Sequence, residues 1–168
     1  MNLFILRHGL AVAHWTPGYA DDASRPLTVE GKAKLRKIAR AMEKLDLDFD
    51  VILSSPYQRA RQTAEITAEE LDLAKKLAFS DALIPDGSAK ELISHINQLK
   101  PRPENILLVG HEPYLSELIS VLVFGGRGFS VELKKGGVTK LSMEALKHGR
   151  CASLEWLLTP KQMALLGA

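Results

Sequence analysis

The chain has 168 residues, 46% of them hydrophobic and 25% charged. That balance is ordinary for one soluble globular domain and excludes a largely disordered chain. A single cysteine, Cys151, excludes a disulfide scaffold, and a net charge of +2 is too mild to indicate nucleic acid without a clustered basic face. The most apolar stretch, 115–124, carries Glu117 and is too short to span a bilayer. The apolar start, Asn2 to Leu6, stops at Arg7 and has neither the basic lead-in nor the cleavage site of a signal peptide. The expectation is a single domain over 1–168 in the cytoplasm, with no membrane or nucleic-acid partner. The oligomeric state is not legible.

In chain order, Leu3 to Leu6 is a continuous apolar run, the pattern of a buried parallel strand. A polar loop from Gly9 to Pro26 follows, with two adjacent aspartates. Thr28 is placed to cap a helix whose apolar face is Leu35, Ile38, Ala39, Met42 and Leu45. Val51 to Leu53 reads as a second strand. Ser55 then reads as an N-cap and Pro56 as the first residue of a helix running to about Leu73. Leu77 to Leu83 reads as a weak strand. Ser88-Ala89-Lys90-Glu91 matches a capping box, and its helix continues through Leu92, Ile93, Ile96 and Leu99.

Ile106 to Val109 is a third clear strand, followed by a helix over Pro113 to Phe124. Two strands are expected on either side of Gly136-Gly137, a last strand over Ser153 to Leu158, and a helical turn from Thr159-Pro160. Strands alternating with helical patterns indicate an α/β fold.

Three strand ends carry the same kind of residue. Arg7-His8-Gly9 follows the first strand. Ser54-Ser55-Pro56 follows the second, with Arg59 one turn further on. Gly110-His111-Glu112-Pro113 follows the third. Ligands of open α/β sheets bind outside the carboxyl ends of strands, so Arg7, His8, Arg59 and His111 are expected along one sheet edge. No carboxylate is evident among them, and such a cluster calls for an anion. Arginine's planar fork suits phosphate oxygens. Free N–H groups at a helix start add favourable partial charge, and Gly9 would let the backbone turn beside the anion. A neutral imidazole can attack phosphorus and split one hard displacement into two easier ones, with no metal or other cofactor required.

Here the sequence resembles a known family. Arg7-His8-Gly9, the run Ser54-Ser55-Pro56-Tyr57-Gln58-Arg59-Ala60-Arg61-Gln62-Thr63-Ala64, and Gly110-His111-Glu112-Pro113 are similar to the motifs of the histidine phosphatase superfamily. That superfamily includes the cofactor-dependent phosphoglycerate mutases. The short length and the Gly-His-Glu-Pro form look most like phosphohistidine phosphatases of the SixA type. The resemblance implies a three-layer α/β/α sandwich around a mostly parallel sheet. It also implies a phosphatase in which His8 is the nucleophile, Arg7 and Arg59 bind the phosphoryl oxygens, and His111 stabilises the transferring group.

Larger members carry a carboxylate that protonates the leaving oxygen. The corresponding segment here, Ser80 to Gly87, has no glutamate, and Asp81 and Asp86 are the candidates. A site without a dedicated acid suits the cleavage of phosphohistidine, because imidazole leaves more easily than an alkoxide. The short chain also leaves little for a lid. The expected partner is therefore a protein carrying phosphohistidine, with a small phosphate ester as the alternative and a non-catalytic phosphate binder as the competing class.

Several other residues have plain readings. His14 and Trp15 read as an exposed loop at the pocket rim, and Arg25 as a lesser candidate for the same anion. Arg61 reads as a structural contact. His95 reads as a surface residue, His148 as part of a turn, and Cys151 as a small buried residue opening the last strand. The basic run from Lys32 to Arg40 reads as a solvated helix face.

Overall fold

The computed structural model describes residues 1–168. Six strands form one sheet: β1 (Asn2–Arg7), β2 (Val51–Ser54), β3 (Leu77–Phe79), β4 (Asn105–Gly110), β5 (Val138–Ser142) and β6 (Ser153–Leu158). The spatial order is β3-β2-β4-β1-β5-β6. The pairs β3–β2, β2–β4 and β4–β1 are parallel, whereas β1–β5 and β5–β6 are antiparallel, so β5 alone runs in reverse. Five helices accompany the sheet: α1 (Val29–Lys44), α2 (Gln58–Glu70), α3 (Ala89–Gln98), α4 (Tyr114–Phe124) and α5 (Pro160–Leu166).

Strand side chains alternate between the two faces of a sheet, so a strand covered on both sides must be apolar throughout. β1 shows this directly. Leu3 and Ile5 join a core with Leu92, Ile96, Leu115, Leu118 and Leu122 from α3 and α4. Phe4 and Leu6 face the opposite way, into a core with Leu35, Ile38, Met42, Ala60, Ala64 and Met163 from α1, α2 and α5. The result is the expected three-layer α/β/α arrangement.

The helix caps follow the local chemistry. The Thr28 hydroxyl accepts from the Gly31 N–H, and Thr159 forms a complete capping box with Gln162. At Ser88 only half of the box forms, with Ser88 accepting from the Glu91 N–H.

Four expectations along the chain are corrected. α2 starts at Gln58 rather than Pro56, because the backbone is still extended at Tyr57, and the Ser55 oxygen both accepts from the Tyr57 N–H and meets His111. It ends at Glu70, where Leu71 closes the last turn. The segment 77–83 is a strand only to Phe79. Ser80 then caps a tight helical turn over Asp81–Leu83. Only one strand flanks Gly136-Gly137, because the preceding segment is bound edge-on to Arg7 rather than to a neighbouring strand. Cys151 lies ahead of β6 rather than in it, half-buried, with its thiol 3.3 Å from the Lys147 carbonyl.

The first turn of α1 packs hard against the loop that leaves β1. A Cβ on Gly31 would lie 2.2 Å from the Leu10 carbonyl oxygen. Glycine to alanine in a helix normally stabilises by about 1 kcal/mol. Here Gly31→Ala is expected to destabilise by about 1–3 kcal/mol, since rigid backbone blocks the added methyl. Urea unfolding measures this, and a raised midpoint would contradict the packing.

Candidate active site

The topology puts three functional segments side by side. β1 and β4 are parallel neighbours, as are β4 and β2, so their carboxyl ends share one edge. The backbone hydrogen bonds run on past the strands, from His8 N to Gly110 O at 3.0 Å and from Ser55 N to Val109 O at 3.0 Å. His8, His111 and Ser55 are thereby held in adjacent positions. Arg59 arrives from the first turn of α2.

A cavity of about 630 Å³ opens at this edge, lined by Arg7, His8, Arg59 and His111 among others. The structure thus brings together all four residues expected there. His8 and His111 are 6% and 1% exposed, and their ring centres are 5.2 Å apart.

The two faces of the His8 ring have different partners. Nδ1 lies 2.8 Å from the Gly9 carbonyl, which can only accept, so Nδ1 carries the ring proton. Nε2 then bears a lone pair and accepts a hydrogen bond from Arg59 Nε at 3.2 Å. Burial pushes the His8 pKa down to about 2. The carbonyl of Gly9 opposes this, while His111, Arg59 and Arg7 reinforce it. His8 is therefore a neutral imidazole with Nε2 as its available nucleophilic atom.

His111 is also held neutral. Burial, then the charge of Arg59, lowers its pKa to about 3. Its Nε2 lies 2.8 Å from Ser55 Oγ, which already accepts from the Tyr57 N–H. A hydroxyl both donates and accepts, so either ring tautomer satisfies this contact. The other ring nitrogen, Nδ1, is buried without a protein partner.

The arginines are positioned by backbone. Arg7 donates from Nη1 to the Leu133 carbonyl at 2.9 Å, and its Nε is buried with no protein acceptor. Arg59 donates to the Asp22 carbonyl at 2.8 Å and to the Asp22 carboxylate at 2.9 Å. Burial lowers the pKa of both guanidiniums from the usual value. The nearby carboxylates, Glu112 for Arg7 and Asp22 for Arg59, oppose that shift.

Two expectations fail here. From the sequence, Gly9 is expected to turn beside the anion as one of the residues that bind it. Its N–H instead goes to Thr63 Oγ1 at 3.0 Å, and its carbonyl orients His8. Space is tight there, since a Cβ would meet the Leu35 side chain at 2.7 Å and push it aside. The expectation of no carboxylate in the cluster is also corrected. Asp22 lies in the cavity wall, where its Oδ1 accepts from Arg25 Nη2 at 2.6 Å and its Oδ2 from Arg59. Burial raises the Asp22 pKa, but the hydrogen bonds from Arg25 and Arg59 outweigh it and hold the carboxyl below its usual range.

Arg25 is a full member of the site, 9% exposed and tied also to the Val12 carbonyl at 2.6 Å. The available signal was Asp22 and Arg25 three residues apart, the spacing of one helical turn. Glu112 is in the wall as well, held by the N–H and hydroxyl of Ser116.

Asp81 and Asp86 are not brought to the cavity. Both are exposed, and from that segment only Pro85 reaches the wall. His14 lines the rim, 3.0 Å from Asp22, whereas the side chain of Trp15 stands 89% exposed. Arg61 does make a structural contact, to Glu65 at 2.8 Å and over the Phe79 ring. His95 is half-buried against Ser80, and His148 is exposed.

A cavity that joins two arginines to a buried, neutral histidine at a sheet edge belongs to an enzyme that handles phosphoryl groups. Comparison with known proteins makes the class specific. The sequence profile of the histidine phosphatase superfamily (branch 1) matches residues 3–84. An uncharacterized protein of Picosynechococcus sp. is 36% identical over 148 residues, covering 88% of each chain. The phosphohistidine phosphatase SixA of Escherichia coli is 29% identical over 126 residues, 74% of this chain and 76% of that one.

Among solved structures, SixA complexed with tungstate superposes with a TM-score of 0.82 at 24% identity, covering 96% of this chain and 98% of the other. A putative α-ribazole-5′-P phosphatase from Escherichia coli gives 0.72 at 19% identity, over 95% and 97%. The chain belongs to the histidine phosphatase superfamily, and it is a phosphatase with the SixA fold.

The assignment of His8 can be read by NMR. In phosphate-free protein, the ¹⁵N shifts of His8 are expected to report a neutral ring protonated on Nδ1 from pH 8 down to pH 5. A titration midpoint near 6.5, the value for free histidine, would contradict it. Stability should follow the same linkage. The pKa values of His8 and His111 are low in the folded state and ordinary in the unfolded one. Below about pH 6.5 the unfolded chain therefore binds more protons, and stability falls as pH falls.

Proposed function

We propose that this phosphatase works through a covalent phosphohistidine on His8 and that its substrate is phosphohistidine on a protein. The observation that carries the mechanism is the fixed His8 ring, with Nδ1–H on the Gly9 carbonyl and the Nε2 lone pair on the Arg59 side of the cavity. Nε2 attacks phosphorus and the substrate P–N bond breaks. The leaving imidazole takes its proton from solvent. The positive charge that develops on the His8 ring is met by the Gly9 carbonyl at Nδ1. Water then attacks the same phosphorus, the P–Nε2 bond breaks, and orthophosphate leaves with His8 restored.

Arg7, Arg59, Arg25 and His111 stabilise the negative oxygens during both transfers. SixA holds tungstate, a tetrahedral oxyanion, and the same class of anion fits the Arg7, His8, Arg59 and His111 cluster here.

Two features support a phosphohistidine substrate. The candidate acids Asp81 and Asp86 stand outside the cavity. Asp22 is held as a carboxylate by Arg25 and Arg59 and is a poor proton donor. An alkoxide needs such a donor far more than imidazole does. The name of the SixA relative points the same way. The alternative is a small-molecule phosphomonoesterase using the same nucleophile, which the similarity to an α-ribazole phosphatase keeps in view. The compartment that fits the unpaired Cys151 is the reducing cytoplasm.

The experiment compares kcat/KM for a phosphohistidine protein with that for small phosphomonoesters. The reading expects a preference for the phosphohistidine protein, and clear preference for an ester would overturn the substrate assignment. His8→Ala is expected to abolish turnover of both. Arg59→Ala is expected to cost on the order of 10²–10³ in kcat. Asp81→Asn and Asp86→Asn are each expected to leave P–N cleavage within about twofold of the native rate. A large loss in either would identify the missing acid.

A further inference from the structure

A second cavity, of about 340 Å³, adjoins the catalytic one between the start of α1 and the segment that precedes β5. The two share Arg7, Leu10 and Lys135 in their walls, which makes them immediate neighbours. Its charged lining is Arg7, Lys34, Lys134 and Lys135 against Glu30 and Glu132. None of these six lies within 4.0 Å of an opposite charge. Four unpaired cations facing two carboxylates leave a net positive surface beside a site that already binds an anion.

The lysines are tied to the catalytic arginine through backbone. Arg7 accepts at its carbonyl from Gly136 N at 3.0 Å and donates from its own N–H to the Gly137 carbonyl at 3.2 Å. Its side chain holds the Leu133 carbonyl at 2.9 Å, and Gly137 N closes a turn on the Lys134 carbonyl at 2.7 Å. Lys134 and Lys135 therefore sit on a segment clamped to Arg7 on both sides. The same segment packs closely on α1, since Gly136 adopts φ +81 and a Cβ there would meet Ile38 at 2.9 Å. Lys135 lies close enough to the arginines that Arg7, Arg25 and Arg59 add to burial in lowering its pKa.

We propose that this adjoining cavity is a substrate subsite for a second anionic group, with Lys34, Lys134 and Lys135 as its cations. The phosphoryl group would occupy the first cavity and a carboxylate or second phosphate of the same substrate the other. The inference rests on the phosphatase reading of the first cavity and deepens it, by assigning the substrate class as doubly anionic. The anion has two sources, an acidic side chain beside the phosphohistidine or a second phosphate on a small substrate.

The test has two arms, each run on the native protein and on Lys34→Gln/Lys134→Gln. The first compares kcat/KM for two phosphohistidine peptides, one flanked by glutamates and one by glutamines. The second compares orthophosphate with tripolyphosphate binding by calorimetry, which reads the subsite even without turnover. The native protein is expected to favour the longer or more acidic ligand by about tenfold in at least one arm, the scale of two partly screened charge pairs. The variant is expected to bring that ratio close to one. A preference in the first arm identifies an acidic side chain as the source, and one in the second arm alone identifies a second phosphate. No preference in either arm, or a preference the variant retains, overturns the subsite. Absence of turnover with intact binding preference would instead overturn the phosphatase reading and leave the subsite standing.

Discussion

The hydrogen bond between His8 Nδ1 and the carbonyl of the next residue, Gly9, is the interaction on which the rest of the site depends. It fixes the tautomer, and the tautomer decides which nitrogen can act. Around this ring stand Arg7, Arg25, Arg59 and Lys135, with Asp22 and Glu112 as the only carboxylates in the wall. A cationic imidazole there would face burial and repulsion together. Neutral, it keeps a lone pair on Nε2 with Arg59 alongside. Burial above all denies His8 a second proton, and the charges of Arg59 and Arg7 that reinforce it are those that an incoming phosphoryl group needs. Basicity is suppressed and anion binding supplied by one arrangement.

The scaffold delivers that arrangement through strand order. Because β2, β4 and β1 are consecutive and parallel, three distant segments of chain end within hydrogen-bonding distance of one another. Two apolar cores, one on each face, hold the strands in place. The reversed strand β5 has a separate role. Its approach runs along Arg7, anchors that side chain, and carries Lys134 and Lys135 to the side of the site.

Much of this was legible in the sequence, and the reasons are physical. The run Leu3 to Leu6 reads as a strand buried on both faces because no polar residue interrupts it, and both cores claim it alternately. Thr28 reads as a cap, and Thr159-Pro160 as a helix start, because their chemistry is local. The four central residues were found because each follows a recognisable strand end. What sequence could not give was set by tertiary contact. Ser55 looked like a helix cap, yet its hydroxyl serves His111. Gly9 looked like a flexible turn residue, yet its role is to fit beneath Leu35 while its carbonyl holds a ring. Asp22 and Arg25 stand one helical turn apart, but nothing in their spacing to Arg59, some thirty-five residues away in the chain, betrayed their meeting with it. Asp81 and Asp86 were plausible by their place on the segment where larger members of the family carry the acid, and only the fold sets them facing solvent.

The most direct test of the central claim is to trap the intermediate. Turnover of a ³²P-labelled phosphodonor, quenched in alkali within milliseconds and mapped by peptide mass, should show an acid-labile, base-stable phosphate on His8. The isomer should be the one phosphorylated on Nε2. Label on Nδ1, on another residue, or on no residue while orthophosphate is released would contradict the account.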